Sequence, residues 1–217
     1  MKPWLPLRIA DLIDERPVEA DEDVHFTESL VATVLDEYTA PGDVVLDPFA
    51  GYGTTLVVAE RMSRHGIGVE LLQRRVDLIR RRLAGRGQVL TGDARDLTAL
   101  VGGPVDLCLT SPPYMAAVDH PENPLNAYET LDGDYETYLA EVGDVFRQVA
   151  RLLRPGGHAV INVANLEAGG IITTLAWDVA RTVSRHLTFR HESFLCWDEQ
   201  PAGLTGDYCL VFQLPGG

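Results

Sequence analysis

Lysine is nearly absent from this 217-residue chain: Lys2 is the only one, the other 17 basic side chains are arginines, and 32 acids leave a net charge of −14. Such a balance gives no bulk attraction to a polyanion. Cysteine is scarce as well. Cys108, Cys196 and Cys209 form an odd set without paired spacing, which speaks against a disulfide framework or a zinc site and reads them as small core residues. Long apolar runs are also missing: none exceeds five residues, as in Tyr208–Phe212, where a membrane helix needs about 18. Met1–Arg16 breaks its apolar residues with Lys2, Arg8, Asp11, Asp14 and Glu15, so it lacks the continuous core of a secretory signal. A cytoplasmic protein with no membrane partner is the expectation. No internal repeat or low-complexity tract interrupts the chain.

What is present, 46% apolar and 23% charged residues, is the composition of one globular domain. The reading is an N-terminal arm over 1–26 and a single domain over 27–217. Within the domain, apolar periodicity and turn residues predict helices at Glu28–Tyr38, Thr54–Arg64, Leu72–Leu83, Tyr135–Leu153 and Ile171–Arg185. Seven strands are expected at Val44–Leu46, Gly66–Glu70, Gln88–Leu90, Val105–Thr110, His158–Val163, Phe189–Trp197 and Tyr208–Leu214. Helices alternating with short apolar strands make an α/β fold, a mostly parallel sheet covered on both faces, here closed by a C-terminal antiparallel hairpin.

Ligands of such sheets bind beyond the carboxyl ends of the strands, so the residues after each strand carry the chemistry. After the first stands Asp47-Pro48-Phe49-Ala50-Gly51-Tyr52-Gly53-Thr54-Thr55, where two glycines allow a sharp turn and close approach of a ligand. Neither a Gly-Lys-Ser/Thr ending nor the third glycine of a dinucleotide fingerprint follows, which disfavours a nucleoside triphosphate. Glu70 ends the next strand, 23 residues beyond Asp47, where a carboxylate can accept both hydroxyls of a ribose. Asp93, in Gly92-Asp93-Ala94, can accept an adenine amino group. Three acids and a glycine loop suit a cationic ligand containing adenosine but no phosphate. The fourth strand end is Thr110-Ser111-Pro112-Pro113-Tyr114. Its prolines fix φ and remove two backbone donors, leaving carbonyl acceptors beside the Ser111 hydroxyl, an arrangement that receives an amino group. An exocyclic aromatic amine is a weak nucleophile, and accepting its N–H bonds aims its lone pair at an electrophile while Tyr114 stacks on the ring.

Together, Asp47–Thr55 and Thr110–Tyr114 resemble the S-adenosylmethionine-dependent amino-methyltransferases of DNA, the N4-cytosine/N6-adenine type, and the resemblance extends over roughly Phe26 to Leu214. It implies a seven-stranded Rossmann-like class I methyltransferase fold and S-adenosylmethionine as cofactor, with no metal. Asp47 and Phe49, Ala50, Gly51, Gly53 and Thr54 would then hold its methionine part, Glu70 with Leu71 its ribose, and Asp93 with Ala94 its adenine. Phe26-Thr27-Glu28 is similar to a further cofactor-contacting element of the family. Ser111, Pro112, Pro113 and Tyr114 would be the catalytic residues. The reaction implied is methylation of an exocyclic amino nitrogen, of a nucleobase first; RNA guanine, a protein amide, a small-molecule amine, or a non-catalytic cofactor-binding subunit are the alternatives.

Charge is unevenly spread. Nine arginines lie between Arg61 and Arg95, then none until Arg147, while ten acids occupy that gap. Only Met115–Asp134 separates the Pro-Pro loop from the next helix, too little for a separate recognition domain. A nucleic-acid substrate would therefore be bound weakly by this chain alone, with a recognition subunit or a homodimer as partner. Arg74, Arg75, Arg80, Arg81, Arg82 and Arg86 read as a solvated helix face without a site role. His25, His120 and His158 read as structural. Asp119–Pro124 is either a polar loop or a substrate lid.

Overall fold

The computed structural model of the protein describes residues 1–20, 26–85, 87–118, 122–127 and 133–216. In chain order the elements are β1 (Trp4–Leu7), α1 (Ile9–Asp14), α2 (Glu28–Tyr38), β2 (Val44–Asp47), α3 (Thr54–Arg61), β3 (His65–Glu70), α4 (Gln73–Arg82) and β4 (Gln88–Thr91). Then follow α5 (Leu97–Leu100), β5 (Val105–Thr110), α6 (Tyr135–Leu152), β6 (Leu153–Ala168), β7 (Ile171–Thr173), α7 (Leu175–Val183), β8 (Thr188–Trp197) and β9 (Leu204–Gln213). Among the described residues no helix is long and apolar enough to cross a membrane.

All seven expected strands occur, in a sheet ordered β1-β8-β9-β6-β5-β2-β3-β4, with β7 added to β6. Among the described residues the sheet thus has nine strands rather than seven. The first addition is β1, part of the segment read as an arm, which lies parallel to β8 from Trp4↔Phe194 to Leu7↔Trp197. Pro3 and Pro6 hide it from propensity reasoning, yet an edge strand tolerates a residue without N–H. The second is β7. The expected helix Ile171–Arg185 keeps only Leu175–Val183, because Gly169 and Gly170 both take positive φ (58° and 77°) and turn the chain back onto β6. A Gly-Gly pair before β-branched Ile171-Ile172-Thr173 is a hairpin signal that the apolar periodicity beyond it obscured.

Helices cover the sheet on both faces. α2 is N-capped by Thr27, whose Oγ1 accepts from the Leu30 amide at 3.3 Å, and buries Leu30, Val31, Val34 and Leu35 against one face. On the other face α6 is the longest support. Tyr138, Val142, Val145, Phe146, Val149 and Leu152, at helical spacing, pack with α7 residues onto β5 and β6. Strand order reverses between β2 and β5: β3 and β4 lie to one side of β2, β5 and β6 to the other. Backbone pairing of β2 with β5 is recorded at Val45↔Leu107 and Leu46↔Cys108. Beyond these pairs, at the strand ends, a side-chain bond joins β5 to β2: Thr110 Oγ1 donates to Asp47 Oδ1 at 2.6 Å. The crevice above that bond is where a doubly wound sheet binds ligands.

Candidate active site

A cleft of about 220 Å³ opens at this switch point. Fourteen of the sixteen expected site residues line it: Phe26, Asp47, Phe49, Ala50, Gly51, Thr54, Glu70, Leu71, Asp93, Ala94, Ser111, Pro112, Pro113 and Tyr114. The other two stand behind it. Thr27 caps α2, and Gly53, at φ 80°, caps α3 so tightly that a Cβ there would lie 2.8 Å from Ile79.

The glycine loop and Glu70 form one unit. Glu70 Oε2 accepts from the Gly51 amide at 3.0 Å and Oε1 from the Leu72 amide at 2.9 Å, so one carboxylate holds the loops after β2 and β3. Burial pushes the Glu70 carboxyl up, while the Leu72 amide, the Arg75 guanidinium and the Gly51 amide pull it back. Each oxygen keeps acceptor capacity, as two hydroxyls require. At Gly51 (φ 54°) a Cβ would meet only the Phe49 carbonyl, at 3.9 Å, so the loop has room for a ligand at that backbone.

Asp47 is 2% exposed and accepts from Thr110 Oγ1 (2.6 Å), Thr55 Oγ1 (2.7 Å) and the Phe49 amide (3.1 Å). Desolvation nonetheless raises its carboxyl to about 6. Asp93 lines the cleft, and both its oxygens accept from Arg95, whose Nε lies 3.0 Å from each and whose Nη2 lies 2.6 Å from Oδ2. The bonds from Arg95 hold the Asp93 carboxyl low despite its burial.

Across the crevice, the Pro-Pro loop lacks backbone donors and is fixed through its oxygens. Tyr138, fully buried in α6, donates its hydroxyl to the Pro113 carbonyl at 2.8 Å. Tyr114 donates to the Asn162 carbonyl of β6 at 3.3 Å, and Ser111 Oγ donates to the Tyr114 oxygen at 3.3 Å. Burial, first, and then the nearby Asp207 push the Tyr114 hydroxyl well above its ordinary value, so it remains a donor. With its hydrogen directed to Tyr114, Ser111 offers the cleft lone pairs. Tyr138 takes one of the two lone pairs of the Pro113 oxygen, which leaves that carbonyl one further acceptor direction.

Sequence reasoning missed two groups. Arg74 and Arg75 line the cleft although neither was assigned a site role; Arg74 is exposed, and the half-buried Arg75 places its guanidinium 5.0 Å from the Tyr52 ring centroid. Their place in the turn just after Glu70 was the available signal. Pro124, Leu125 and Ala127 form a further wall. Pro124 ends the segment Asp119–Pro124 read as a loop or lid, of which Asp119, His120 and Pro121 lie outside the described residues, as do His25 and Arg86. His158 is no part of the site; its ring packs 4.8 Å from that of Tyr38.

Known proteins resemble parts of this chain in sequence and most of it in fold. Residues 16–81 match the family model described as DNA methylase. A 4-amino-L-phenylalanine/4-methylamino-L-phenylalanine methyltransferase from Streptomyces pristinaespiralis is 36% identical over 140 residues, 59% of this chain and 45% of the relative. The type II methyltransferase M.HinfI from Haemophilus influenzae is 46% identical over 56 residues, 26% of this chain and 16% of that protein. This chain thus spans less than half the length of either relative. A TehB-like SAM-dependent methyltransferase from Corynebacterium glutamicum superimposes with a TM-score of 0.56 at 17% identity, over 84% of this chain and 85% of that one, which shows a shared fold. The chain thus has the Rossmann-like fold of that solved methyltransferase, and residues 16–81 of it are similar to DNA methylases.

Proposed function

We propose that the protein transfers a methyl group from S-adenosylmethionine to an exocyclic amino nitrogen on an aromatic ring, first of all that of a nucleobase, cytosine N4 or adenine N6. The observation that carries this reading is the oriented chain Ser111, Tyr114, Asn162, which turns acceptor lone pairs rather than a proton toward the cleft. An amine whose N–H bonds are accepted there has its own lone pair directed across the crevice, toward the glycine loop. The cofactor supplies a methyl group on a positively charged sulfur. On this chain Glu70 would take the ribose hydroxyls, Asp47 and the loop to Thr54 would face the methionine part, and the Asp93–Ala94 turn would border the adenine. Ser111 and the Pro112 carbonyl would hold the amine, with Tyr114 against the ring.

The DNA methylase match and the M.HinfI similarity support a nucleobase. A second reading, a compact aromatic amine without phosphate, is favoured by the longer alignment to the amino-phenylalanine methyltransferase and by the ten acids between Arg95 and Arg147. On either reading the chain by itself binds duplex DNA weakly, and a nucleic-acid substrate calls for a recognition subunit or a second copy.

The test is methyl transfer from isotopically labelled S-adenosylmethionine to duplex DNA, single-stranded DNA and 4-amino-L-phenylalanine, read by mass spectrometry. Label on an exocyclic nitrogen supports the proposal, and the acceptor chosen separates the two readings. Label confined to carbon or oxygen, or to none of these acceptors, contradicts it.

A further inference from the structure

The cleft wall formed by Pro124, Leu125 and Ala127 lies outside the sheet, with one short 3-10 turn at Pro124–Asn126. A wall so placed needs anchors, and Arg95 supplies one. Arg95 follows Asp93 in the turn Ala94–Asp96, its carbonyl held by Gln148 Nε2 of α6 at 2.6 Å. Its guanidinium reaches three parts of the molecule at once. Nε and Nη2 grip Asp93, Nη2 also donates to Asn126 Oδ1 at 2.7 Å, and Nη1 donates to Glu141 Oε1 of α6 at 2.7 Å. Glu141 in turn accepts from Asn123 Nδ2 at 3.0 Å, and Asn123 Oδ1 accepts from the Leu125 amide at 3.0 Å. A planar five-donor group suits this bridging, and a lysine ammonium could not reproduce its fork.

Both oxygens of Asp93 are engaged by Arg95. Oδ1 receives the Arg95 amide, Oδ2 receives Nη2, and the single Nε–H is shared between the two, so three N–H groups of one residue take most of the roughly four lone-pair directions of a carboxylate. We infer that Arg95, which does not line the cleft, is a positioning residue for its adenosine end: Asp93 acts through Arg95, and Arg95 sets the wall of Pro124, Leu125 and Ala127 against the ligand. The inference rests on the reading of the cleft as an S-adenosylmethionine site.

Calorimetric titration with S-adenosylhomocysteine and, separately, with adenosine tests it in the full chain. Arg95→Met, Asn126→Ala and Asp93→Asn are each expected to weaken both ligands by the same factor, on the order of tenfold, as for loss of a charge-assisted hydrogen bond. Arg95→Lys should recover only part of the loss. Arg95→Met combined with Asp93→Asn should lose no more than either alone, since both break one link. A purely structural role would lower thermal stability without this shared adenosine-end defect, and Asn126→Ala keeps the test alive if Arg95→Met misfolds. Additive losses, or an Arg95→Met protein that binds as well as the parent, would overturn the inference and return Asp93 to direct contact. Failure of the unaltered protein to bind S-adenosylhomocysteine would overturn the reading of the cleft and the inference with it.

Discussion

On the β2–β4 side of the cleft, carboxylates grip backbone N–H groups of neighbouring loops: Glu70 holds Gly51 and Leu72, and Asp47 holds Phe49. On the β5–β7 side the Pro-Pro loop is held by groups far along the chain, Tyr138, Asn162 and, through the Ala117 amide at 2.9 Å, Thr173. The first side is a local design in which the ends of β2 and β3 and the loops that follow them make a binding surface. The second is assembled only when α6, β6 and the β6–β7 hairpin have packed. Binding and amine alignment should therefore be separable by mutation.

The largest expected effect falls on the assembled side. Tyr114→Ala should lower turnover by about a hundredfold or more, since it removes ring stacking of ~1–3 kcal/mol and also the partner that orients Ser111. Steady-state kinetics with the acceptor found by the transfer assay measures this. An effect below about threefold would make Tyr114 a packing residue.

On the local side, Gly53→Ala should destabilise the fold by roughly 2 kcal/mol, because the new methyl meets Ile79 at 2.8 Å in a left-handed backbone. Urea denaturation reads this cost; a variant as stable as the parent would show that the loop is not locked onto α4.

Asp47 gives the comparison a pH dependence. Its buried carboxyl titrates near 6, above its unfolded value, so its contribution to stability is fully present below about pH 4 and is lost as pH rises through about 6. A cationic ligand needs the ionised form. Affinity for S-adenosylhomocysteine, whose amino group is charged, should therefore rise about tenfold from pH 5 to pH 7, with proton release, and Asp47→Asn should flatten the rise. A flat profile in the unaltered protein would place the ligand's charge elsewhere.

The smallest effect is expected from Tyr138→Phe, which removes one hydroxyl from a fully buried ring. Loss of its bond to Pro113 should cost ~0.5–1.5 kcal/mol of stability and reduce turnover by less than about tenfold, leaving cofactor affinity unchanged. Weakened cofactor binding in this variant would erase the distinction between the two sides.

The same distinction explains what could be read from the amino acids. Glu70, Gly51 and Asp47 were legible because strand-end register alone brings them together. Ser111–Tyr114 was legible as a motif, but its attachments were not, since nothing local ties Tyr138 to Pro113 or Asn162 to Tyr114. Arg74 and Arg75 were lost in a run of arginines, where charge pattern cannot separate a cleft-facing pair from solvated ones. Asp93 lines the cleft as its strand-end position suggests, and its partner Arg95 went unread because sequence shows only that the two are two residues apart, not the fork that joins them. The edge strand β1 and the hairpin strand β7 escaped for backbone reasons, proline at an edge and paired glycines at a turn.

The most direct test of the account is calorimetric titration of S-adenosylhomocysteine into the unaltered protein, Glu70→Ala and Tyr114→Ala. The unaltered protein should bind, Glu70→Ala should lose ~1–3 kcal/mol because buried hydroxyls and two loops lose their acceptor, and Tyr114→Ala should bind within about twofold of the parent. No binding by the unaltered protein, or equal losses in the two variants, would contradict it.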